Sequence, residues 1–222
     1  MFATLLLAGI LASGGIPAQP TAAQAAMNAA IAQVAAPADC VKALQTFVSA
    51  RRQEVRTPAD LTAELLKEID EEKVFLARTC LARFGPSSVK GEHLPALAAL
   101  YIEAGKPAEG KATMARALAE PMSPGDRAAT LTTAINVILR TAKGDERNAR
   151  LETLIDELDA SPAATLDQKL AAHSQLLDYY RGDHLDAGII KHSTWMAATA
   201  KTLTPEERRK YGAQIAKLLA EK

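Results

Sequence analysis

Glu103-Ala104-Gly105-Lys106-Pro107, Ala142-Lys143-Gly144-Asp145-Glu146 and Tyr180-Arg181-Gly182-Asp183-His184 interrupt a chain otherwise patterned as helix. Their glycines lie 39 and 38 residues apart. A small residue follows each glycine at five positions (Gly110, Ala149, Ala187), and a leucine precedes each at five (Leu100, Leu139, Leu177). Glycine just past a helix end adopts the left-handed backbone without a Cβ penalty. A small residue shortly afterwards lets the next helix lie close to the one before. A spacing of about 38 residues falls in the range of stacked helical hairpins. The predicted fold class is therefore all-α, built of antiparallel helical hairpins.

Composition agrees. Alanine and leucine supply most of the apolar content, aromatic residues are 4%, and no stretch alternates apolar with polar residues long enough to read as a strand. Four helix starts look alike: Thr57-Pro58-Ala59-Asp60, Ser123-Pro124-Gly125-Asp126, Ser161-Pro162-Ala163-Ala164 and Thr204-Pro205-Glu206-Glu207. Each offers a hydroxyl cap and a proline at the first helical position, and three add an acid at the third. Between these signals the periodicity predicts helices at about 40–53 (capped by Asp39) and 58–84 (one bent helix). Hairpins follow at 93–104 with 107–119, 124–142 with 145–159, and 162–181 with 183–203. A closing helix at 205–220 turns Tyr211, Ile215, Leu218 and Leu219 inward and Arg208, Arg209, Lys210 and Lys217 outward. A terminal helix with one polar face can close the apolar end of a stack.

The first forty residues read differently. No charged side chain precedes Asp39, Phe2–Ala12 is apolar, and Thr21–Ala26 supplies an Ala-x-Ala pattern. This predicts a signal peptide over 1–25, a disordered lead-in over 26–38 and a single helical-repeat domain over 39–222. The location predicted is periplasmic or secreted, with no membrane span in the mature chain. Cys40 and Cys80, the two cysteines, are then expected as a disulfide. A straight hairpin of the two helices that carry them puts Cys40 opposite a residue near Glu71. Cys80 would then sit roughly 13 Å farther along the axis, so the bond requires offset or bent packing.

The formal net charge of +0 gives none of the field that nucleic-acid binding needs. No Gly-x-Gly-x-x-Gly, P-loop or Gly-x-Ser-x-Gly stretch occurs. His173 lies beside Ser174 and His192 beside Ser193, with no identifiable acid to complete a triad. His184 between Asp183 and Asp186 reads as a helix start more readily than as a metal site. No catalytic residue, cofactor or metal is predicted, and the chain is not expected to be an enzyme.

The hairpin at 93–119 resembles the tetratricopeptide repeat (TPR). The residues that carry the likeness are Leu97, Ala98, Tyr101, Gly105, Gly110, Met114 and Ala117, with Pro121 near the closing proline. Leu94 stands at the usual tryptophan, and Arg140 and Asp178 stand where the first unit has Tyr101. The resemblance covers about 30 residues and implies a degenerate, right-handed α-solenoid with a C-terminal capping helix. It further implies that the first helix of each pair lines a concave surface holding a peptide. Carried over on the glycine frame, that surface includes Glu92, Ala99 and Glu103, then Leu131, Ile138 and Thr141, then Lys169, Leu176, Tyr179 and Tyr180. The expected function is an exported scaffold or adaptor for a protein or peptide partner in the cell envelope. The alternative is a non-catalytic accessory domain of an envelope thiol–disulfide or cell-wall enzyme system.

Overall fold

A computed structural model describes residues 22–54, 62–85 and 88–221. Among them are ten α-helices and no strand: α1 (Ala22–Gln33), α2 (Pro37–Gln53), α3 (Ala63–Leu81), α4 (Leu94–Glu103), α5 (Pro107–Ala119), α6 (Pro124–Thr141), α7 (Gly144–Ala160), α8 (Leu166–Gly182), α9 (Asp186–Thr202) and α10 (Pro205–Ala220). A 3-10 turn at Gly91–His93 leads into α4. The signal-peptide segment lies outside the described residues except for its last four positions, and the start signal at 57–60 lies outside them entirely. No described helix is long and apolar enough to cross a membrane.

Helices pack as sequence neighbours: α2 on α3, α4 on α5, α6 on α7 and α8 on α9. Connections as short as 104–106, 142–143 and 183–185 force each pair to fold back on itself. The leading helices also touch in series, α2 to α4, α4 to α6 and α6 to α8, and each second helix packs against the next leading helix. The central core runs through α4 to α8 around Leu97, Leu131, Ile135, Leu151, Ile155 and Leu176. A second core joins α1, α2 and α3 to Leu100 of α4 and to Ala104 just beyond it. A third, around Leu170, Leu177, Met196, Tyr211 and Ile215, seats α10 on the last pair. Leu218 of α10 is buried, whereas Leu219, expected inward, is exposed. One step along a helix turns a side chain by about 100°, so the two cannot share that face.

The segment expected as a disordered lead-in is largely helical. Residues 22–33 form α1, and Met27, Ile31 and Val34 are buried against the helices that follow. Their spacing of four and three residues places them on one helical face, which supplies the burial that holds the helix. Helix α2 then begins at Pro37, ahead of the predicted start. Asp39 acts from inside the first turn, its carboxylate accepting the N–H groups of Ala35 (3.1 Å) and Ala36 (2.9 Å).

Two other helix starts move for the same kind of reason. Ser161-Pro162 ends α7, and α8 begins after Thr165, whose hydroxyl accepts the Gln168 N–H while the Gln168 side chain accepts the Thr165 N–H. This reciprocal box satisfies two orphan donors. Ser161-Pro162-Ala163-Ala164 has no acid or amide at the corresponding place and offers only one. Ser123 and Thr204 cap α6 and α10 as expected, the latter with Glu207. Helix α3, a single helix, is capped by Thr62.

The glycine frame is kept in two turns and displaced in the third. Gly105 (φ +73°) and Gly144 (φ +66°) are left-handed. In the third turn Gly182 is the last residue of α8, and His184 takes the left-handed backbone (φ 54°). The hydrogen bonds identify the equivalence: Lys106 N–H closes on Tyr101 C=O at 2.9 Å, and Leu185 N–H closes on Tyr180 C=O at 2.9 Å. The close approach in this hairpin is likewise made by Gly188, one residue beyond the expected Ala187. A Cβ on Gly188 would lie 2.4 Å from the Tyr180 ring.

Cys40 and Cys80 meet, with 2.18 Å between the sulfurs and 6.1 Å between the Cα atoms. The offset that the sequence demanded goes with a later start of α3, at Ala63 after its cap Thr62 instead of at Pro58. Arg51 shows the same register: its guanidinium pairs with Glu68 at 3.2 Å and Glu72 at 2.9 Å on α3, and with Glu54 at 2.7 Å.

Candidate functional site

The leading helices α2, α4 and α6 enclose a cleft of about 770 Å³. Its size falls within the range of ligand sites. Small and apolar side chains form much of its lining: Val41, Pro95, Ala96, Ala99, Ala129 and Val137. They follow from one face of each helix, since Ala96, Ala99 and Glu103 recur at three and four residues. Polar groups at the edges are Lys42 and Gln45 on α2, Glu92 before α4, and Asp126, Thr133 and Asn136 on α6. Asn136 is exposed in the middle of α6. Thr132 and Thr133 donate their hydroxyl protons back to Ala128 and Ala129 carbonyls (3.0 and 3.1 Å). Each hydroxyl oxygen keeps acceptor capacity.

One end of the cleft is closed by charge. Glu103 on α4 accepts from Arg140 on α6 and forms an ion pair with Lys73 on α3 at 3.0 Å. Burial pushes the Glu103 carboxyl up, but the two cations outweigh it and hold it below the usual carboxylate range. Glu103 is therefore an ionised pin between three helices, with Arg140 occupying the position where the first unit has Tyr101.

Of the predicted surface residues, Glu92, Ala99 and Glu103 line this cleft. The other predicted positions do not join them. Leu131, Ile138 and Leu176 are core. Thr141 returns its hydroxyl to the Val137 carbonyl at 2.7 Å, and Lys169 donates to the Asp159 carbonyl at 2.7 Å. Tyr179 is half-buried, donating to Asn148 at 2.7 Å with Arg147 4.2 Å above its ring. Tyr180 is buried and donates to Glu152 at 2.5 Å. It packs where α9 crosses α8 at Gly188 and cannot serve as a peptide anchor. The cleft residues that sequence reasoning missed are Lys42, Gln45, Asp126, Thr133, Asn136 and Arg140. The Arg140–Glu103 pair, 37 residues apart, is close to one repeat length, which was the available signal.

The displaced tyrosines belong to a second constellation, internal to α7, α8 and α9. His173 and His192, both fully buried, face each other with 2.8 Å between their Nδ1 atoms. His173 Nε2 lies 3.1 Å from Asp159 Oδ2, and His192 Nε2 lies 3.3 Å from Glu152 Oε1. Lys191 pairs with Glu152 and, at 2.8 Å, with Asp156. The Trp195 ring stacks on His173 at 3.7 Å, and Tyr180 lies parallel to His192 at 5.4 Å. Burial opposes ionisation of Glu152, but hydrogen bonds from His192, Lys191 and Tyr180 prevail and bring its carboxyl to about 2. Burial and the Glu152 carboxylate push the Tyr180 phenol up. Ser174 and Ser193 take no part in these links. The two imidazoles and Tyr180 are buried, whereas Lys191 and Asp156 reach the surface. Among the described residues no group of three or more His, Cys, Asp or Glu side chains is arranged to hold a metal ion.

Comparison with known proteins returns no matching family model, no matching curated protein and no matching solved structure.

Proposed function

We propose that this chain is an exported, TPR-like α-solenoid that binds an extended peptide segment of a protein partner in the α2–α4–α6 cleft. The observation that carries the reading is that leading helices of three successive hairpins contribute to one cleft with a small-residue lining and a mixed polar rim. Alanine and proline leave room for the side chains of a guest. Asn136, Gln45 and Thr133 suit the N–H and C=O groups of an extended backbone. The rim carries both signs of charge, which suits recognition by shape and hydrogen bonding more than by net field. The Cys40–Cys80 bond fits an oxidising compartment, and with the apolar leader it supports export.

A photo-crosslinker at Asn136 tests the reading, with one at the exposed Ile190 of α9 as the control. The expected result is one discrete partner captured at 136 and not at 190. Ala99→Trp, which fills the cleft, should reduce that capture at least about tenfold while leaving the melting temperature nearly unchanged. Equal capture at both positions, or capture untouched by Ala99→Trp in a folded protein, rejects the cleft as the binding site.

A further inference from the structure

We propose that His173 and His192 form a buried proton-binding site, holding one proton between their Nδ1 atoms and making the attachment of α9 to α7 and α8 depend on pH. Three links run in series: Asp159 to His173 Nε2, His173 Nδ1 to His192 Nδ1, and His192 Nε2 to Glu152. Each link needs one hydrogen. Ionised carboxylates supply none, so all three must sit on ring nitrogens. Two neutral imidazoles carry two. The third makes one imidazolium, shared by the pair and flanked by a carboxylate at each end.

With only two protons one link fails. Either two Nδ1 lone pairs face each other at 2.8 Å, or an imidazole lone pair faces a carboxylate. No water is needed to complete the count, and both rings are buried. The loss of a proton therefore leaves a buried polar atom opposed, an arrangement proteins avoid.

Charged and polar groups meet the pair from all three helices. From α7 the pair meets Asp159 and Glu152, with Asp156 beside Lys191. From α8 come Tyr180, which donates to Glu152, and Lys169, which donates to the Asp159 backbone. From α9 comes Lys191, on the same carboxylate as His192. Burial pushes His173 below the ordinary imidazole value despite Asp159. The ring that is the imidazolium donates from both nitrogens, and the other donates through Nε2 and accepts at Nδ1. The same burial excludes a second extra proton.

The linkage has a definite sign on each side. Unfolded histidines titrate near about 6.5. Above that value the unfolded chain has released both extra protons while the folded pair keeps one, so stability falls as pH rises. Below it the unfolded chain binds two and the folded pair still one, so stability rises with pH. The pair's contribution is thus greatest near about pH 6.5 and changes the folding constant by up to roughly tenfold per pH unit on either side.

The test is nitrogen NMR on the histidine-labelled full-length protein, together with denaturant unfolding between pH 5 and 9. The expected spectrum at pH 8 shows one of the four histidines doubly protonated, with an exchange-protected Nδ1 hydrogen. His173→Asn should remove that signal. The stability difference between wild type and variant should peak near pH 6.5. Four neutral rings at pH 8, or a difference that is flat from pH 5 to 9, overturns the proposal. If His173→Asn fails to fold, the wild-type spectrum alone decides.

Discussion

The α2–α3 junction and the α7–α8–α9 junction each bury polar or sulfur chemistry between helices, but they use opposite means. At α2–α3 a covalent bridge joins Cys40 to Cys80, and Arg51 gathers three carboxylates near the other end of α2. At α7–α9 the fastening is a chain of hydrogen bonds among Asp159, His173, His192, Glu152, Tyr180 and Lys191. The first acts largely by restricting the unfolded chain. The second acts only when every donor and acceptor is matched in the folded state. The first junction should therefore answer to reductant and ignore neutral pH, and the second the reverse.

The largest effect separates them directly. The bridge closes a loop spanning 40 residues, and the chain-entropy model assigns about 4 kcal/mol to a loop of that size. Reduction with a thiol, or Cys80→Ser, should lower unfolding free energy by about that amount, equally at pH 6.5 and pH 8. Equilibrium denaturation at both pH values checks this. A loss that doubles between them would mean that the junctions are coupled.

Next comes Gly188→Ala, which puts a methyl group against the Tyr180 ring at the α8–α9 crossing. Overpacking of this kind costs about 1–3 kcal/mol. The variant should also move Tyr180 off Glu152, visible as a change in tyrosine near-ultraviolet circular dichroism. An unchanged melting temperature would show that the crossing is looser than the contact distance indicates.

Glu152→Gln should cost about 2 kcal/mol at pH 6.5, because His192, Lys191 and Tyr180 lose a charged acceptor. It sharpens the comparison at low pH. The folded carboxyl titrates near about 2 and an unfolded glutamate near about 4.3. Its depressed value gives stability that is present above about 4.3 and lost as pH falls toward 2. Acid unfolding of Glu152→Gln should be correspondingly shallower than that of wild type over this window.

The smallest effect is a control. Lys210 pairs with Asp167 at 2.8 Å on the surface. Exposed pairs contribute little, so Lys210→Ala should leave the melting temperature nearly unchanged, and the more so in high salt.

The two junctions were also unequally legible. Helical type and the pairing of helices followed from Gly105, Gly144, Ser123-Pro124 and Thr204-Pro205, because caps and left-handed turns are local chemistry. The cysteine pair could be named, but its geometry depended on where α3 starts. The third turn was misread because glycine's preference is a tendency, and His184 occupies the left-handed position two residues beyond Gly182. Ser161-Pro162 lost to Thr165-x-x-Gln168 because a reciprocal box satisfies more backbone donors. The histidine pair was hidden by topology. His173 and His192 are 19 residues apart on different helices, and their carboxylate partners lie on a third. Glu152 and Asp159 are seven residues apart, two helical turns on one face, but nothing local ties that spacing to histidines on other helices. The cleft was half legible: Ala99 and Glu103 followed from the TPR resemblance, while its second wall on α6 was sought at the wrong helical phase.

If the leader is removed as the sequence predicts, helix α1 would set a limit on where. Cleavage near Ala25, as the leader predicts, would leave Met27, Ile31 and Val34 attached to the domain they cover. A peptidase acting three residues later would carry away Met27 and uncover part of the apolar surface beneath it. That expected cut falls inside α1 (Ala22–Gln33), two residues before Met27. Folding of α1 would place the next peptide bonds in a hydrogen-bonded helix, a form that proteases cut poorly. Trimming of such an N-terminus would then stop short of Met27.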